Sequence, residues 1–217
     1  MTDLKLFFSP RACSLACHIA LEESGLAYEA MPVRIRKGEH KESTYKKMNP
    51  WGKIPTLLTG DKVLTETHAI LSYIADKASV ELIPKNDPLS RARAHEWMNF
   101  LSSTVHIAFR PLFRPNLLVD SKELYSELLK VGIPNLKNTL MEVERRLSGK
   151  KWALGDVYSV CDAYLFVFHI WSQREDVVEH VADMPNWMAH RKRMEEREAT
   201  KIALNAEGVT AENITDK

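Results

Sequence analysis

The spacing of apolar residues changes character once along this chain, near residue 84. Before that point short strand-like runs alternate with helical spacing. Leu4-Lys5-Leu6-Phe7-Phe8, closed by Ser9-Pro10, is too short for a helix and predicts a strand. From about Cys13 to Ser24, Leu15, Ala16, Ile19 and Ala20 recur at helical spacing, and Gly25 offers the left-handed residue on which helices often stop. Tyr28 to Ile35 suits a second strand, parallel to the first because a helix of crossover length separates them. Ile54 to Leu58 and Lys62 to Thr65 flank a Gly60-Asp61 turn as a hairpin. A helix follows, with Ala69, Ile70, Tyr73 and Ile74 on one face and Thr67 as its expected N-cap. The order is βαβ, ββ, α.

Around Leu82 to Pro88 two prolines and polar residues break the pattern, and strand-like alternation does not return. The expected organisation is an α/β domain over residues 1–80, a linker at 81–87, an all-α domain over 88–205 and a C-terminal tail at 206–217 without periodicity. Helices are predicted over 89–110, 121–147, 159–172 and 185–197, with a kink or break at Pro134 in the second. The run Ala163 to Trp171 is apolar nearly all round, which fits a helix buried inside the second domain. Ser159 and Asp162, three apart, form its N-terminal capping signal.

Composition narrows the function classes. At 217 residues, with 45% hydrophobic and 27% charged positions, the chain has the make-up of an ordinary globular protein. Thirty Lys and Arg against 29 Asp and Glu leave a net charge of +1, so no global field draws it to nucleic acid or to an acidic membrane. A small ligand is the expected partner. No apolar run approaches the roughly 20 residues that span a bilayer, and the chain opens without the zones of a secretory signal, so the expected location is the cytoplasm. Cys13, Cys17 and Cys161 make neither a disulfide framework nor a C-x-x-C motif and are expected to be reduced, with no metal site among them.

Four constellations could carry chemistry. Cys13 lies where a strand hands over to a helix, close to free N–H groups that favour a thiolate; the plainer reading is a small buried apolar residue. In Asn49-Pro50-Trp51-Gly52-Lys53-Ile54-Pro55, a cis Ile54-Pro55 bond would leave the Ile54 backbone to hold an extended peptide, whereas a trans proline would simply start a strand. Glu66 and Thr67 suit the ammonium and carboxylate of an α-amino acid, or equally a plain helix cap. Asn99, Ser103 and His106 share one face of an otherwise apolar helix, a stripe that faces either solvent or a cleft.

In order along the chain, Ser-Pro-x-Ala-Cys-Ser-Leu, Asn-Pro-x-Gly-x-Ile-Pro, Leu-Thr-Glu, Asn-Phe-x-x-Ser-x-x-His and Ser-Val-Cys-Asp-Ala-Tyr-Leu-Phe resemble the bacterial beta class of glutathione S-transferases over nearly the whole length. The resemblance implies a thioredoxin-like N-terminal domain, an all-helical C-terminal domain, and a homodimer binding one glutathione per subunit. It implies that Cys13 and His106 are the active-site cysteine and histidine, that Ile54 pairs with the cysteinyl backbone, and that Glu66 and Thr67 take the γ-glutamyl amine and carboxylate. Asn99 and Ser103 stand on the helix that closes the site, and Lys37 would neutralise the glycine carboxylate. Three positions depart from the pattern: Arg11 replaces a common glycine, Cys17 a frequent proline, and Ile107 a usual lysine after the histidine. The Ser-Ser-Cys signature of the zeta class is absent, which disfavours a maleylacetoacetate isomerase.

The main expectation is therefore a transferase joining the glutathione thiolate to an electrophilic carbon of a small apolar compound. A second reading is thiol–disulfide exchange or peroxide reduction through a Cys13–glutathione mixed disulfide. A third is a binding module without catalysis. His106, Phe109, Phe113 and Trp171 are candidates to line the electrophile pocket, with core packing the alternative for the aromatics.

Overall fold

The computed structural model describes residues 3–179 and 183–209, so residues 210–217 of the expected tail lie outside the described residues. Strand β1 (Leu4–Phe8), helix α1 (Ser14–Ser24) and strand β2 (Glu29–Pro32) make the predicted βαβ unit, with Lys5 opposite Glu29 in a parallel pair. Strands β3 (Thr56–Thr59) and β4 (Lys62–Thr65) form the hairpin, and β3 pairs antiparallel with β1, giving the sheet order β2-β1-β3-β4. β2 ends at Pro32, three residues earlier than expected, because its partner β1 ends at Phe8; the Val33 N–H makes the last bond, to the Phe8 C=O at 2.7 Å. The chain then passes through two short 3-10 turns into helix α2 (Ser43–Met48).

Helix α3 (Thr67–Lys77) starts differently from the expectation. Glu66, at φ 69°, is the residue that leads into it, and Thr67 is its first helical residue rather than its cap.

Helix α4 (Pro88–Phe100) is capped by Asp87, whose carboxylate accepts from the Leu89 and Ser90 N–H groups, with Pro88 in the first turn where no N–H is missed. It does not run regularly to residue 110. Leu101 to Val105 form a π turn in which the His106 N–H donates to the Leu101 C=O, and two short helices follow, α5 (His106–Ala108) and α6 (Arg110–Phe113).

Helix α7 (Tyr125–Leu147) continues through Pro134 without the expected break. Pro134 and Lys130 lie on its exposed side, so water can satisfy the Lys130 carbonyl that proline leaves without a donor. On the opposite side Gly132 lets α6 approach closely, since a Cβ there would lie 2.6 Å from the Pro111 Cβ.

Helix α8 (Val160–Ser172) is buried along almost its whole length and carries the predicted capping box. Asp162 accepts from the Ser159 and Ala153 N–H groups at 2.9 and 2.7 Å and from His190 Nε2 at 2.9 Å. Helices α9 (Glu175–Val178), α10 (Pro185–Glu196) and α11 (Glu198–Ala206) complete the described chain. The start of the expected loose tail is in fact packed, because Glu207 and Val209 are buried and the Glu207 carboxylate meets His18 Nδ1 at 3.1 Å.

One apolar core runs through both halves. Its centre is α1, whose Leu15, Ala16, Cys17, Ile19 and Ala20 are fully buried because α3 covers one side while α8 and α11 cover the other. Among the described residues no helix is long and apolar enough to cross a membrane.

Candidate active site

A cleft of about 840 Å³ opens between the β-bearing half and helices α4 and α5. Cys13, Ile54, Glu66, Thr67, Asn99 and His106 all line it, although they come from five separate stretches of chain.

Cys13 directly precedes α1 and is 9% exposed. Its Sγ donates to the Ile54 C=O at 3.3 Å. Burial pushes its thiol up, and the nearby Glu66 charge adds to this, while the Thr67 hydroxyl and the N–H groups at the helix start pull the other way and lose. The thiolate expected from the helix start is therefore not formed in the free protein; Cys13 is a thiol.

Ile54-Pro55 is cis. The loop before it is fastened from behind: the Tyr45 hydroxyl and the Asn49 amide donate to the Lys53 C=O at 2.6 and 2.9 Å, and Asn49 also reaches Thr56 Oγ1 at 3.0 Å. Gly52 has φ 59°, and a Cβ there would stand 2.7 Å from the His40 carbonyl oxygen, so only glycine fits.

Glu66 holds a positive φ at the head of α3, a backbone state that is uncommon for a residue with a Cβ and that occurs at ligand clamps. In the first turn of α3, His68 Nδ1–H donates to Asn99 Oδ1 at 3.0 Å, and His68 Nε2 accepts from His95 Nδ1–H at 2.8 Å. Burial lowers the pKa of His68 and keeps it neutral, as this pairing requires.

His106 is packed edge-on against Trp171, with ring centres 4.8 Å apart. Burial, then the Arg110 and Lys53 charges, bring its pKa down to about 4, so the imidazole is neutral near pH 7.

Two expected residues stand apart. Ser103 does not line the cleft: its hydroxyl turns back to the Asn99 C=O at 2.7 Å, and Ser102 takes the cleft position instead. The π turn adds one residue to the helical turn, which rotates the regular four-residue step off the cleft face. Lys37 ends an exposed 3-10 turn outside the cleft, whereas Lys53, beside Ile54, lines it. Nor do Phe109, Phe113 and Trp171 form a pocket wall. They pack with Phe168 behind His106, and the Trp171 indole donates to the Arg11 C=O at 2.7 Å.

Lys53, His68 and Arg110 are cleft residues that the sequence reading passed over. Lys53 sat inside a loop already singled out, His68 directly follows Thr67, and Arg110 is one helical turn beyond His106. Among the described residues no group of three or more His, Cys, Asp or Glu side chains is placed to hold a metal ion. A carboxylate and a helix start, the backbone before a cis proline and two cations lining one cleft suit a short zwitterionic peptide carrying a thiol.

Comparison with known proteins points the same way. Models of the glutathione S-transferase N-terminal and C-terminal domains match residues 2–76 and 100–198. Over 213 residues the chain is 35% identical to glutathione S-transferase GstA of Escherichia coli O157:H7, covering 95% of this chain and 100% of that protein. The bacterial beta class glutathione S-transferase of Sphingomonas chungbukensis superposes with a TM-score of 0.80 at 38% identity, covering 95% of this chain and 100% of that one. A sphingomonad glutathione S-transferase complexed with glutathione gives a TM-score of 0.80 at 36% identity over the same shares. The chain belongs to the glutathione S-transferase family, and it is similar to the bacterial beta class within it.

Proposed function

We propose that this chain catalyses attack of the glutathione thiolate on an electrophilic carbon, with glutathione lying extended along the cleft. The observation that carries this is the convergence of Cys13, Ile54, Glu66, Thr67 and His106 on one open surface. Glu66 accepts from the γ-glutamyl ammonium, and Thr67 at the start of α3 donates to the γ-glutamyl carboxylate. The Ile54 backbone meets the cysteinyl residue, and Lys53 rather than Lys37 takes the glycine carboxylate.

The glutathione sulfur then lies between Cys13 and His106. A neutral imidazole whose pKa is about 4 is too weak a base to keep the thiol proton at pH 7, so that proton goes to water. What His106 supplies is an N–H, and Cys13 supplies the S–H that in the free protein meets the Ile54 C=O and that turns to the bound sulfur; both donate to the thiolate and lower its pKa. The thiolate forms a C–S bond as the electrophile's leaving group departs with its electron pair. Exchange chemistry through Cys13 is the weaker reading, because burial keeps that sulfur protonated. Three free cysteines suit a reducing cytoplasmic setting, and Trp51, 82% exposed at the cleft edge, is a group that a second copy in a homodimer would cover.

Titration calorimetry with glutathione, alongside conjugation of 1-chloro-2,4-dinitrobenzene, tests the reading. Replacing Glu66→Gln removes a charge-assisted bond of about 1.5 to 3 kcal/mol and should weaken glutathione binding roughly ten- to hundred-fold. Undetectable glutathione binding by the native chain, or affinity untouched by Glu66→Gln, would overturn it.

A further inference from the structure

On the allocation proposed above, one cation of the cleft has no glutathione group to hold. Its charged lining residues are Glu66, Lys53 and Arg110, and among the described residues neither Lys53 nor Arg110 has an acidic partner. On the reading above, Glu66 faces the ammonium and Lys53 the glycine carboxylate. That leaves Arg110, four residues beyond His106 and near enough for its charge to act on that imidazole, which puts it beside the approach of a second substrate to a sulfur held at His106. Ile107 beside it is 41% exposed and gives that approach an apolar surface.

The surrounding rim reinforces this. Lys41, Lys46, Lys53 and Arg114 all act electrostatically on His40, whose carbonyl lies against Gly52 across helix α2. Of the acids on that segment, Glu39 is taken by Arg34, and Glu42 alone is left, at the start of α2. Of these four cations Lys53 lines the cleft, and the other three stand near His40, against the loop that carries Lys53. Such a rim steers and retains anions.

We infer that the second substrate is an anionic electrophile, an apolar body bearing a carboxylate or similar group, and that Arg110 reads that group. This rests on the glutathione reading. Arginine suits the task because its planar fork matches a carboxylate at two points. The neutral Ile107 beside it favours an apolar body between the reacting carbon and the charged group.

The test compares two matched acceptors, 4-chloro-3,5-dinitrobenzoate and its methyl ester, in conjugation with glutathione, each rate divided by its uncatalysed rate. The native enzyme should favour the carboxylate in kcat/KM. Arg110→Gln should lower the carboxylate-to-ester ratio roughly tenfold or more, as loss of a charge-assisted bond implies, and Arg110→Lys should restore part of it. Raised ionic strength should lower the same ratio in the native enzyme.

Three results overturn the inference while leaving the transferase reading intact: a native enzyme that does not discriminate, an equal fall on both acceptors, which would place Arg110 at the thiolate, or a raised KM for glutathione, which would place it at the glycine carboxylate. If calorimetry detects no glutathione binding, the underlying reading fails and the inference fails with it.

Discussion

His106 gives a measurable pH signature. Its pKa falls from the usual 6.5 to about 4 because the folded protein buries the ring and sets Arg110 and Lys53 near it. In the unfolded chain the same imidazole takes a proton near its ordinary value. Between those two values the unfolded state binds more protons, so stability is fully present above pH 6.5 and is lost as pH falls toward 4. At 1.36 kcal/mol per unit, the drop from 6.5 to about 4 is worth about 3 kcal/mol in total, of which about 2 kcal/mol disappears between pH 7 and pH 5.

The perturbation is His106→Gln, which carries no charge at any of these pH values. Urea unfolding of both proteins at pH 7, 6 and 5, at one protein concentration, gives the two slopes. Other histidines, including the buried His169 whose pKa is also pulled down, contribute equally to both proteins and cancel in the difference. The native protein should lose about 2 kcal/mol more than the variant over that range. Equal slopes would refute the claim that a neutral, desolvated imidazole faces the cleft, and with it the assignment of His106 as a donor.

Two further predictions follow from the loop that carries Cys13. Because burial holds Cys13 as a thiol, its alkylation by iodoacetamide at pH 7 should be slower than that of free glutathione, and Cys13→Ala should lower conjugation by about ten- to hundredfold, the worth of one hydrogen bond to a charged sulfur, while abolishing any disulfide exchange; loss of conjugation and exchange together would assign both to the one sulfur. Arg11 has φ 62°, so Arg11→Gly should be more stable than Arg11→Ala by about 1 kcal/mol in thermal unfolding, and an alanine variant as stable as the glycine one would remove the case for strain there.

The sequence carried the elements whose signals are local. β1, α1 and the β3–β4 hairpin are set by short apolar runs and by turn residues within a few positions, and the capping of α8 by Ser159 and Asp162 is a four-residue pattern. Ordered motifs also marked most of the cleft lining. The parts that were not legible depend on geometry that a period of 3.6 cannot express. Asn99, Ser103 and His106 were assigned to one face by regular spacing, and a single π turn between them exchanged Ser103 for Ser102 while leaving His106 in place. Likewise, the resemblance implied Lys37 for the glycine carboxylate, and only the path of the loop shows that Lys37 stands outside the cleft while Lys53 lines it. The thiolate expected at Cys13 failed for a third reason: the benefit of a helix start is a local term, and the desolvation that outweighs it comes from chain packed around it in the fold.

Desolvation of that kind follows from how the two halves meet. The Arg11 N–H donates to the Glu207 carboxylate at 3.0 Å, the Arg11 C=O accepts from the Trp171 indole at 2.7 Å, and Glu207 is itself held by His18 on α1. Two residues from the helical half thus grip both backbone groups of a residue held at positive φ, two positions before the cysteine. The contact pairs positions 196 apart, so no window along the sequence contains it. Because the grip is on backbone atoms, it is made whichever side chain stands at position 11. The position of Cys13 is therefore a property of the joint between the halves, and a change at Glu207 should reach the cleft through Arg11, although neither residue lines it.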